Sequence, residues 1–155
     1  MYWIRHVSDP DALAESVLSR VGLDGADIRD PYGVLEALKW PIHPLPGAGP
    51  EDGQTDECLR IVRIRYSGSD QFIYKILAHE CGHVIMLESG HRFPHCERCA
   101  DRIGRAVCMG RDGLRRRLRT ESSGEIIESL SRLYLAAEVS QRIFEVRAYE
   151  GLRHG

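Results

Sequence analysis

A chain of 155 residues with 23 acidic and 21 basic side chains carries a formal net charge of −2, too little positive charge to hold nucleic acid or an anionic membrane across its whole surface. Its 43% hydrophobic and 28% charged residues are those of an ordinary globular domain, which excludes a disordered or fibrous chain. No apolar run approaches the ~20 residues that span a bilayer, and residues 1–6 open no secretory signal pattern, so no membrane partner and a cytoplasmic location are expected.

Leu13, Val17 and Leu18 recur at helical spacing behind Ser8, Asp9 and Pro10, which predicts a first helix over 11–21 with Ser8 or Asp9 as its N-cap and Gly22 at its end. A second, short helix follows Asp30 and Pro31, with Val34, Leu35 and Leu38 as its stripe and Pro41 as its stop. Residues 41–53 hold four of the seven prolines and three glycines, a loop composition with at most one short extended piece near 42–45. The better strand is 58–66, where Leu59, Ile61, Ile64 and Tyr66 mix with arginines in imperfect alternation. Helices are expected over 71–88, 95–109 and 125–137, and a last one over 141–150 capped by Ser140. This order predicts an α+β fold, mostly helical, with a small antiparallel sheet, in a single domain over 1–155 whose residues 120–155 form a C-terminal helical segment.

Five cysteines, an odd number at uneven spacings, do not suggest a disulfide framework. Cys96 and Cys99 have the spacing of half a four-thiolate zinc site, but Cys108 stands alone and no second pair follows. Arg111, Arg115, Arg116, Arg117 and Arg119 could meet an acidic protein surface or nucleic acid, although such runs are more often solvated faces. With the net charge as it is, direct nucleic-acid binding is not expected.

The chemistry is concentrated in His79-Glu80-Cys81-Gly82-His83. Histidines four apart project from one face of a helix and can bind one metal ion together, with the intervening glutamate as general base. On a helical wheel, Ile73, Ile76, Leu77, Val84 and Leu87 cluster, with His83 and Glu80 in or beside that arc and His79 at its edge. The polar groups therefore face the interior, where they are costly unless satisfied.

A catalytic zinc takes three protein ligands and keeps one position open, so a further ligand must come from elsewhere. Glu97 on the next helix fits, because Ala100 and Gly104 on its face allow a close helix approach. Asp101, one turn on, can accept a hydrogen bond from the second ring nitrogen of a ligand histidine. His91 and His95 on the connecting loop compete for the third-ligand role. Ser89, six residues after His83, stands where a metzincin would need a histidine. Two histidines and a carboxylate also suit manganese or iron. Tyr74, His91 and His95 are candidates to donate to substrate or to the oxyanion.

The run Ile76-Leu77-Ala78-His79-Glu80-Cys81-Gly82-His83, then Glu97-x-x-Ala100-Asp101-x-Ile103-Gly104 and Val107-Cys108-Met109, resembles the ImmA/IrrE family of metallopeptidases. That family has a leucine-alanine-His-Glu-leucine-Gly-His helix and a Glu-x-x-Ala-Asn-x-Phe-Ala helix ending in leucine-leucine-Met-Pro. Here Cys81 replaces leucine, Asp101 asparagine, Ile103 phenylalanine and Gly110 proline, and none of these removes a ligand. The resemblance implies a zincin-like domain of the gluzincin type, with one Zn2+ held by His79, His83 and Glu97 and with Glu80 as base. It also implies cleavage of a helix-turn-helix transcriptional repressor that relieves repression in a phage, mobile element or stress response. Two other classes stay open. One is a catalytically silent zinc-binding partner or toxin–antitoxin component; the other is a structural zinc domain using Cys96 and Cys99.

Overall fold

The computed structural model describes residues 9–47 and 49–154, so the alternative N-cap Ser8 lies outside the described residues. Among them, helices α1 (Pro10–Ser19) and α2 (Pro31–Ala37) lead into strands β1 (Ile42–Pro44), β2 (Gly53–Asp56) and β3 (Ile61–Ile64). Helices α3 (Asp70–Glu88), α4 (Glu97–Cys108), α5 (Arg111–Leu118), α6 (Ser123–Leu130) and α7 (Ala136–His154) follow. The fold is α+β and mostly helical, as the element order predicts.

Local chemistry sets the helix starts. Asp9 accepts from the Ala12 N–H at 3.1 Å and Asp30 from the Tyr32 N–H at 2.9 Å, each followed by a proline whose missing N–H costs nothing in a first turn. Ser69 caps α3, and Ser122 with Glu125 forms a reciprocal capping box on α6. Ser140 caps nothing: α7 begins at Ala136, a turn before it, and carries it in its interior. The arginine-rich stretch is itself a helix, α5.

The sheet order is β1-β3-β2. Antiparallel pairing, as expected, joins β2 to β3, but β1 runs parallel to β3, so the sheet is mixed. The chain reverses twice, in the long loop that carries it from β1 to the far edge and again in the turn before β3, which leaves β1 and β3 pointing the same way. The expected strand 58–66 is shorter than its pattern suggested, because Arg60, at φ 53°, closes the turn between β2 and β3.

One apolar cluster gathers Ala14, Val17 and Leu18 of α1, Val34 and Leu35 of α2, Val62 and Ile64 of β3, and the inward faces of α3 and α4. A second, around Met109, Leu114, Ile126, Tyr134, Val139 and Ile143, supports the C-terminal helices. The two meet along α4, whose end is tied to the segment after α1 by an Ile28–Met109 bridge and an Arg29 N–H to Cys108 carbonyl bond of 2.9 Å.

Helices α3 and α4 pack in backbone contact. A Cβ on Gly82 would lie 2.1 Å from the Ala100 carbonyl oxygen, and one on Gly104 would lie 2.2 Å from that of Ala78. Only glycine fits at either crossing point. No described helix is long and apolar enough to cross a membrane.

Candidate metal centre

The close crossing brings the first turn of α4 against the middle of α3. His79 Nε2, His83 Nε2 and the Glu97 carboxylate lie within 4.8 Å of one another, although Glu97 comes from a different helix. The positions follow from the helical period: His83 is buried at 7% exposure and Glu80 at 5%, while His79 sits at the rim.

The hydrogen bonds fix the tautomers. His83 Nδ1 lies 2.6 Å from the Pro94 carbonyl oxygen, which can only accept, so this nitrogen carries the proton. His79 Nδ1 lies 2.6 Å from Asp101 Oδ1 and donates likewise. In the neutral form, both rings therefore turn an Nε2 lone pair inward, and these nitrogens are 3.2 Å apart.

Two lone pairs at that distance beside a carboxylate repel unless a cation or a proton lies between them. Tetrahedral zinc with bonds of about 2.0–2.1 Å separates its ligands by about 3.3 Å. The His79–His83 edge of 3.2 Å and the His83 Nε2 to Glu97 Oε1 edge of 3.3 Å match that figure. The His79 Nε2 to Glu97 Oε2 distance of 2.6 Å is that of a charge-assisted hydrogen bond, with a proton on His79 in the cation's stead. Burial opposes that charge, but the hydrogen bond to Asp101 and the carboxylates of Asp101, Glu80 and Glu97 outweigh it and raise the His79 pKa to about 9. The hydrogen bond from His79 holds the Asp101 carboxyl below its ordinary range against partial burial. The donor set fits a divalent metal of zinc type.

Glu80 stands beside this group without belonging to it. Its Oε2 accepts from the Thr55 hydroxyl at 2.5 Å, and its other oxygen faces Gly53, where a Cβ would approach it to 2.9 Å. Burial pushes the Glu80 carboxyl above its ordinary pKa, although the Thr55 hydroxyl and the two histidines pull the other way.

A cavity of about 650 Å³ opens onto these groups, walled by residues 51–55, by the Phe72–Leu87 face of α3 and by the Pro94–Asp101 segment. Strand β2 is an edge strand. The Arg65 N–H donates to the Asp52 carbonyl, so in the alternating ladder Gln54 and Asp56 bond to β3, and Gly53 and Thr55 turn their N–H and C=O to the open edge above Glu80.

The remaining candidates separate. His95 lines the cavity, with its side chain 74% exposed and 3.7 Å from Glu57. Tyr74 and His91 do not line it: Tyr74 stacks edge-on against Tyr32 and Tyr134, and His91 Nδ1 accepts from the Phe93 N–H. Neither is placed to donate to a substrate there. Cys96 and Cys99 join no metal-holding group with the histidines among the described residues.

The arginine stretch is engaged in bracing. Arg111 pairs with Asp9 and lies over the Tyr149 ring, Arg115 pairs with Glu150, Arg116 with Asp27 and Arg117 with Glu121.

Thr55, Gly53 and the Pro94 carbonyl escape a reading of the sequence. A polar four-residue strand has no apolar alternation, and a main-chain acceptor has no residue type to betray it. Compared with protein-family models, curated proteins and solved structures, the chain matches none.

Proposed function

We propose that this chain is a zinc-dependent endopeptidase. The observation that carries the reading is the convergence of two Nε2 nitrogens, each turned inward because Nδ1 donates to a fixed acceptor, with the Glu97 carboxylate, beside a glutamate that is not part of the set. A structural zinc site closes its coordination and has no use for such a glutamate. His79, His83 and Glu97 would hold the ion, and a bound zinc supplies Lewis-acid chemistry, polarising a carbonyl and acidifying water.

The chain's own groups do the rest. Thr55 holds Glu80 Oε2, and Oε1, which faces Gly53 in the cavity wall, is the oxygen left to take a proton from water and pass it to the leaving amine. Burial keeps that carboxylate a better base than a solvated one. The open edge of β2 favours a peptide over a small ester, because an extended backbone can pair with Gly53 and Thr55 and bring its carbonyl beside Glu80. His95 is the remaining histidine candidate for the oxyanion.

The substrate proposed, a helix-turn-helix repressor, comes from the resemblance to ImmA/IrrE peptidases. A cytoplasmic site of action belongs to the same proposal.

Elemental analysis after exhaustive dialysis is the first test: about one zinc per chain is expected, lost or sharply weakened in Glu97→Ala. Undiminished zinc in that variant would remove Glu97 from the site. Glu80→Gln should then keep the metal and slow repressor cleavage by about 10²–10⁴-fold, followed as loss of intact repressor on a gel. Full activity in this variant rejects the mechanism. Tight repressor binding with no cleavage by the wild type points instead to a silent binding partner.

A further inference from the structure

Cys96 and Cys99 take no part in the reading above. Their sulfurs lie 2.7 Å apart across the first turn of α4, where residues three apart are neighbours. Cys96 is the N-cap residue: its sulfur accepts from the Cys99 N–H at 3.3 Å, and it is half-buried, whereas Cys99 is 1% exposed. One sulfur is thus open to a reagent and the other is held behind it. The other cysteines are placed differently, Cys58 exposed in a turn and Cys81 and Cys108 buried in the core.

The turn they span carries Glu97, whose side chain is 74% exposed and the least enclosed of the three converging groups. Sulfur is a weak acceptor, and helix starts are held best by serine, threonine, asparagine or aspartate. As a dithiol, the turn that positions Glu97 has a weak cap. Pro94, whose carbonyl orients His83, lies two residues before Cys96. A covalent bond across this turn would therefore fix the approach to two of the three groups.

We propose that Cys96 and Cys99 are a redox-modification site, closed by a hydroperoxide to an intrachain disulfide that stiffens the first turn of α4 and tightens the hold of Glu97 on a metal ion. The last clause rests on the zinc reading; the bond itself does not. The Cys96 sulfur attacks one peroxide oxygen, an S–O bond forms as the O–O bond breaks, and the departing oxygen leaves as water with the thiol proton. The Cys99 sulfur then attacks the Cys96 sulfur, and an S–S bond forms as the S–O bond breaks. The second hydroxide leaves as water with the Cys99 proton. In sum, two thiols and one hydrogen peroxide give one disulfide and two waters, sulfur being oxidised and peroxide reduced.

The experiment uses the full chain, stripped of metal, treated with limiting hydrogen peroxide and digested for mass spectrometry. The peptide holding both residues should lose two hydrogens, and Cys99→Ala and Cys96→Ser should each abolish that loss. Dimers linked through Cys58, or a sulfinic acid on Cys96 with no disulfide, overturn the site. Zinc affinity is then measured by competition with a chromophoric chelator. Oxidation should tighten it by about fivefold or more, and peroxide-treated Cys99→Ala should show no such gain. Equal affinity in the two forms overturns the coupling. A chain that takes no zinc in either form overturns the zinc reading and the coupling with it, while the mapped disulfide still stands by itself.

Discussion

The α3–α4 crossing and the C-terminal helices use ionisable side chains in opposite ways. Around α5 and α7 several charges meet one of opposite sign: Arg105 holds Glu145, Arg115 holds Glu150, and Arg142 is buried against Asp11 and the Met109 carbonyl. At the crossing, His83 Nε2 and the Glu97 carboxylate converge as acceptors on His79 Nε2, whose proton stands where a cation would, and the Nδ1 donors of both rings are used on the far side. Complementary pairs close a structure, whereas converging acceptors leave something still to be bound. Arginine–carboxylate pairs make up the one region and histidines with a carboxylate the other, and only the second turns its ligand atoms on one another.

The hardest way to break that contrast is to part the helices. Gly82→Val sets a Cβ against the Ala100 carbonyl and is expected to cost more than about 3 kcal/mol in urea denaturation, with zinc binding lost as well. Arg142→Ala should cost about 3 kcal/mol, because Asp11 is left buried with only the more distant Arg111, 3.9 Å away, yet zinc affinity measured on the folded fraction should not change. A matched loss of zinc affinity would mean that the two regions are not separable. Asp101→Ala should weaken zinc about 10- to 100-fold in a chelator competition and leave the denaturation midpoint nearly unmoved, with Asp101→Asn between it and wild type.

A smaller effect is expected in acid. Burial works against the Glu88 carboxylate, but the Trp40 indole and the Arg60 guanidinium hold its pKa below the ordinary value. Its contribution to stability is present above the unfolded-state pKa and is lost as pH falls through the lowered folded value. The urea-denaturation midpoint of Glu88→Gln should therefore depend less on pH in that window than that of the wild type. Arg115→Ala should be the mildest change, with a denaturation midpoint not resolved from wild type, since its pair with Glu150 lies at the surface.

Much of the crossing is legible in the sequence, because each feature there belongs to a side chain. Histidines four apart, an apolar stripe, and glycine or alanine at 78, 82, 100 and 104 name the face, the partner and the closeness of approach. Strand β2 is not legible: Gly53-Gln54-Thr55-Asp56 has no extended-strand propensity of its own and is held by its pairing with β3. Helix α5 is obscured by its arginines and by Gly113, where a Cβ would strike the Asp27 carboxylate at 2.1 Å. The parallel run of β1 depends on a loop path that no local pattern encodes.

His83 owes its orientation to a peptide oxygen at residue 94, and no side-chain replacement can delete a peptide oxygen. A substitution scan that keeps the path of the chain would pass over this position in silence. What governs it is the length of the connection between α3 and α4, eight residues from Ser89 to Cys96. One residue added or removed there would rotate the carbonyl away from the ring and free His83 to flip, and so the loop works as a spacer whose unit is the residue count.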